Sequence, residues 1–166
     1  MCSCNNQTER ANRIICTYPH FGFPPLTPVI PAQTNEYLFA MDNTPQIMTP
    51  GGAMTFAAAP AMAGNAVFRD AAGQSYTLAE AGNYRISYAV VAQATAEASN
   101  AGFVLTADGV EIPGSAVTQT LSQIGDTATL STVMMLRALP ATVLQLTSTT
   151  AGVTATNANI LLEKLS

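Results

Sequence analysis

The side chains best suited to chemistry crowd one end of this chain. Cys2, Cys4, Cys16 and the single histidine, His20, all lie within the first twenty residues. Three thiolates and an imidazole are a familiar zinc-ligand set, but structural zinc sites space their cysteine pairs by two to four residues. The Cys2-Ser3-Cys4 gap is tighter than that and matches no standard site. A cysteine nucleophile with His20 as base would need a scaffold to hold the pair in line, and a polar terminal segment supplies none. Intermolecular disulfide cross-linking through Cys2, Cys4 and Cys16 is the better fit, because an odd number of cysteines leaves one without a partner in its own chain. Such bonds persist in an oxidising exterior and not in a reducing cytosol.

The remaining candidates are weaker. Gly51-Gly52 lacks the lysine and following helix of a phosphate-binding loop. Glu97 and Asp126 stand alone and read as solvated turn residues. Arg85 and Arg137 fall in predicted strands; Glu163 and Asp126 are their candidate partners if burial demands one, and otherwise the arginines reach to solvent. No catalytic, cofactor-binding or metal-binding residue is expected, and the chain does not read as an enzyme.

The cysteines sit on an unusual carrier. Five of the ten prolines lie between Pro19 and Pro31, which rules out helix and central strand there. Residues 18–31 therefore read as a semi-rigid extended spacer. Residues 1–34 together form a connector tail, and residues 35–166 a folded domain. Within the tail, Ile14 and Ile15 belong to a short patch with two readings: one strand paired with another chain, or part of a disordered terminus. Tyr18, Phe21 and Phe23 have two readings: anchors for a groove on a neighbouring subunit, or side chains that pack back on their own domain.

From Glu36 onward the punctuation is that of β-structure. Strands are predicted at Tyr37–Met41, near Ala66–Arg69, and at Ser75–Leu78, Asn83–Val90, Phe103–Ala107, Val110–Ile112, Val117–Leu121, Thr127–Arg137, Thr142–Thr149 and Asn159–Leu165. Tyr84, Ile86, Tyr88 and Val90 alternate along one face of their strand, and Asp108-Gly109 is a two-residue hairpin signal. Residues 89–99 read as a strand end rather than a helical turn. Val133-Met134-Met135-Leu136 is apolar on both faces, as suits a strand between a core and a partner. Many short strands with turn residues between them indicate an all-β sandwich or jelly roll.

Only 10% of residues are charged, against roughly 25% in ordinary soluble domains. Exposed apolar patches on soluble monomers are small, so an oligomer that hides part of this surface is expected. The net charge of −4 and the scattered cations exclude a basic stripe for nucleic acid. No segment approaches the roughly 18 apolar residues of a membrane span. The N-terminus has no apolar run of the kind a secretory signal needs.

Three local patterns occur in order. Gly82-Asn83-Tyr84-Arg85-Ile86-Ser87-Tyr88 resembles the Gly-x-Tyr-x-aliphatic strand of the complement/tumour-necrosis-factor-like jelly roll. Asp108-Gly109-Val110-Glu111-Ile112-Pro113-Gly114-Ser115 is similar to the hairpin of its bacterial members, and Asn159–Leu165 to their closing strand. Over roughly 37–166 the combination resembles the C-terminal domain of the collagen-like exosporium glycoprotein family. The resemblance implies a homotrimeric jelly roll on a spore surface, without enzyme activity or cofactor. No Gly-X-Y stalk precedes the domain, so a different assembly is expected: trimers stacked head to tail through N-terminal connectors, as in endospore appendage fibres. An anchoring spore-coat protein and a tip protein are the other expected partners, and the expected location is the spore surface or cell exterior. The alternative is the receptor- or glycan-binding head of a phage or adhesin fibre. If the tail cysteines lock such a fibre, replacing Cys2, Cys4 and Cys16 together by serine abolishes the multimer ladder on a non-reducing gel, as added reductant does for the unaltered chain.

Overall fold

A computed structural model describes residues 36–166. The connector boundary at 34/35 and the readings placed on Cys2, Cys4, Ile14, Ile15, Cys16, Tyr18, His20, Phe21 and Phe23 lie outside the described residues. The described part is built from strands alone: β1 Glu36–Asp42, β2 Gln46–Ile47, β3 Ala58–Ala63, β4 Val67–Arg69, β5 Tyr76–Leu78, β6 Gly82–Ala94, β7 Ser99–Ala107, β8 Val110–Glu111, β9 Val117–Leu121, β10 Thr127–Ala138, β11 Thr142–Ser148 and β12 Val153–Lys164. They form two antiparallel sheets. One runs β10-β6-β12-β1-β3, with β2 also on β12; the other runs β4-β5-β11-β7-β8, with β9 also on β7. Non-sequential neighbours of this kind make a jelly roll rather than a meander.

Alternation explains the layers. In β6 the side chains of Tyr84, Ile86, Tyr88 and Val90 are buried and those between them are not. Leu38 and Ala40 of β1, Ile160 and Leu162 of β12, and Leu144 and Leu146 of β11 complete the same core between the sheets. Burying one such aliphatic side chain stabilises the fold by about 1.5–3 kcal/mol.

Turn chemistry fixes the register. Asp108 and Gly109 have φ of 51° and 79°, the doubly positive pair of a type I′ hairpin that matches strand twist. The Asp108 carboxylate accepts a hydrogen bond from the Val143 N–H at 2.8 Å, tying the hairpin to β11. Further in, the Tyr88 hydroxyl donates to the Ser115 carbonyl at 2.8 Å. The buried Ser115 hydroxyl donates to the Ile112 carbonyl at 2.7 Å and accepts from the Leu105 N–H at 3.1 Å. The loop after β8 is thereby pinned to the core by polar groups that satisfy one another.

Some boundaries differ from the sequence reading. β6 runs on to Ala94, β7 begins at Ser99, and β12 begins at Val153; these extensions are rich in Ala, Ser, Thr and Asn, which carry little strand signal. β2 and β3 were not expected. β3 contains Pro60, which is tolerated because β3 is an edge strand. The stretch Val133–Leu136 is not enclosed on both faces among the described residues: β10 is the opposite edge strand, and Val133 and Met135 are exposed.

Burial pushes the Tyr88 hydroxyl up to about 12 from 10.0, and it pushes Tyr76 and Tyr84 upward too. The folded state then holds protons that the unfolded chain has released. These tyrosines leave stability unaffected below about pH 10 and lower it as pH rises from there through 12. Denaturant titrations across that window should show the decline, and Tyr88→Phe should reduce its slope.

Candidate functional site

The same alternation that buries Tyr84 and Ile86 turns Arg85, Ser87, Ala89 and Val91 to the other face of the sheet. Strand pairing then aligns side chains from distant parts of the sequence into rows across that face. Val133 of β10 pairs with Ser87, Ser87 with Leu161 of β12, and Leu161 with Phe39 of β1. The adjacent row runs Met135, Arg85, Glu163, Tyr37. The next in the other direction runs Ser131, Ala89, Asn159, Met41. Phe39, Met41 and Leu161 are half-buried, while Val133 is 62% and Met135 61% exposed. The result is an apolar face, rich in aromatic and methionine side chains, crossed by one ion pair. Aromatics and methionine are the residues enriched in the cores of protein interfaces.

That ion pair joins Arg85 Nη1 and Glu163 Oε2 at 3.4 Å. Glu163 was one of the candidate partners for Arg85, and the register of β6 against β12 sets the two directly opposite. Arg137 lies in the strand predicted for it and makes no ion pair among the described residues. Asp126, its other candidate partner, instead accepts the Ser122 and Gln123 N–H groups at 3.0 and 2.9 Å, as a turn residue does. Glu97 is an exposed turn residue.

Two clefts open at the end of the sandwich where β1 begins. One of about 430 Å³ is lined by Asn83, Arg137, Leu139 and Ser166, and one of about 340 Å³ by Glu36, Tyr37, Glu163 and Lys164. The ionisable groups of the second are largely engaged elsewhere. Lys164 donates to Glu80 at 2.7 Å, a hydrogen bond that pushes its ammonium pKa up and holds it charged, while Glu163 is paired with Arg85. Neither cleft brings a nucleophile to a base. Among the described residues no group of three His, Cys, Asp or Glu is placed to hold a metal ion, and no helix is long and apolar enough to cross a membrane.

No known sequence family matches the chain, and no curated protein matches it. Solved structures do match. The chain is similar to the globular domain of a zebrafish complement 1qA protein, with a TM-score of 0.58 at 10% identity, over 79% of this chain and 98% of that one. It is also similar to murine APRIL, with a TM-score of 0.60 at 10% identity, over 79% of this chain and 99% of that one. At that identity the likeness is one of fold, and the described domain is a jelly roll of the complement/tumour-necrosis-factor type.

Proposed function

We propose that this protein is a structural subunit that assembles with itself: a homotrimer through the outward face of the β10-β6-β12-β1-β3 sheet, extended head to tail into a spore-surface fibre by residues 1–34. The observation that carries the reading is the apolar row Phe39, Leu161, Val133 beside Tyr37 and Met135, a strip of half-buried to exposed side chains spanning four strands. A charge-poor composition points the same way, since an assembled subunit needs less charge to stay in solution than a free one. The complement/tumour-necrosis-factor type of jelly roll supports three as the number of copies. No enzymatic role is assigned, because the clefts of the domain gather no nucleophile or acid–base pair.

The tail supplies propagation. A head-to-tail contact does not close on itself, so it grows into a filament. A proline-rich spacer reaches about 3.1 Å per residue. Three tails per trimer raise one another's effective concentration, so weak single contacts hold together. Ile14, Ile15, Tyr18, Phe21 and Phe23 are the docking residues in this scheme, and Cys2, Cys4 and Cys16 the locks. A spore-coat anchor and a tip protein would end the fibre.

Two experiments test the reading. Val133→Asp and Met135→Asp leave a folded domain, because both side chains are solvent-facing among the described residues. Each costs about 1–2 kcal/mol at every one of three contacts, so light scattering reports monomers where the unaltered protein gives trimers. Negative-stain microscopy under non-reducing conditions shows long thin filaments for the full chain and none after deletion of residues 1–34. Discrete trimers in both samples would overturn the fibre and favour a receptor- or glycan-binding head.

A further inference from the structure

We propose that Arg85 and Glu163 are the selectivity element of the trimer face: Arg85 of each protomer is answered by Glu163 of the partner subunit, closing a ring of three arginines and three glutamates. The inference rests on the trimer reading above. Among the described residues these two form the one ion pair of that face, and they sit between Tyr37 and Met135 in a row adjoining the apolar one. Within a single chain the pair does little for the fold. It is a single contact of 3.4 Å between side chains 50% and 33% exposed, the kind of surface pair that contributes little to stability.

Assembly changes that balance. A three-fold axis brings three copies of the same strands together, so an arginine alone on the face would meet other arginines. A glutamate on the neighbouring strand gives the face both signs and no net charge from the pair, which makes it complementary to a rotated copy of itself. Covering the row with apolar side chains from the next copy also removes water, so a charge without its opposite becomes costly. The pair then selects copies of this chain, in this rotation, over other apolar surfaces. Arg137 lies on the same strand face but at the end of β10, opposite Asn83. It lines the cleft at the end of the sandwich and is outside the ring.

Charge reversal tests this with the full chain in reductant, reading the protomer count by native mass spectrometry and the fold by circular dichroism. The unaltered protein and Arg137→Glu are expected to be trimeric. Arg85→Glu and Glu163→Arg, each alone, should be folded and at least tenfold weaker in trimer formation. Mixing the two single variants should partly restore trimers containing both chains, because two of the three contacts in a mixed ring then join opposite charges while one stays like-charged. Single variants that trimerise as well as the unaltered protein would overturn the selectivity role and leave the trimer standing. Rescue by the double reversal within one chain, with no mixed trimer formed at all on mixing, would overturn the ring by showing that the pair acts inside one protomer. An unaltered protein that is monomeric would overturn the trimer reading and the ring with it.

Discussion

The two-residue period of β6 governs more of this molecule than any single contact. Because Tyr84, Ile86, Tyr88 and Val90 must face the core, Arg85, Ser87, Ala89 and Val91 must face away. A slip of one residue would bury the arginine and expose the tyrosines. β6 is flanked by β10 and β12 along nearly its whole length, so its phase is imposed on both. The phase that fills the core therefore also composes the outward face and places Val133 and Leu161 on it together.

Polar groups reinforce that phase at one point. The Tyr88 hydroxyl holds the Ser115 carbonyl, and the Ser115 hydroxyl holds Ile112 and Leu105. Such a buried network is stabilising only when complete, since one missing partner leaves a group without hydrogen bond or water. It ties the loop after β8, in one sheet, to β6, an interior strand of the other. The two sheets are thus fixed by specific hydrogen bonds as well as by apolar packing, and the outward face is presented on a rigid support.

How much of this is legible in the sequence depends on the range of the interaction. β6, the Asp108-Gly109 turn and β9 are local, and their residues alone specify them. β3 is not legible, because Ala58, Ala59, Ala61 and Ala63 around Pro60 carry no strand preference; it forms because β1 offers an edge. The outward face shows the same division. The Val133–Leu136 run announces an apolar strand. Nothing in the sequence places Phe39 against Leu161, because that pairing joins opposite ends of the domain and exists only once the sheet order is set. The opposition of Arg85 and Glu163 is readable as a possible ion pair and acquires its position only from register.

The sheet edges show why assembly and not aggregation is the better account of this surface. Open edges invite pairing with other chains unless they are short, charged, interrupted by proline or covered. β3 contains Pro60, and β4 and β8 have three and two residues. β10 has twelve residues, with Arg137 its single charge and no proline. It is an edge strand, and among the described residues its outward side chains Val133 and Met135 are exposed. A free monomer would carry that strand as a standing hazard. In the proposed trimer a rotated copy covers the face, and the Arg85–Glu163 pair admits one orientation. The number of contacts is then limited to what a closed ring allows, and growth beyond it is left to the tail. A trimer that closes through its sheets and extends through its connectors keeps the two interactions on separate parts of the chain, so each can be broken without the other.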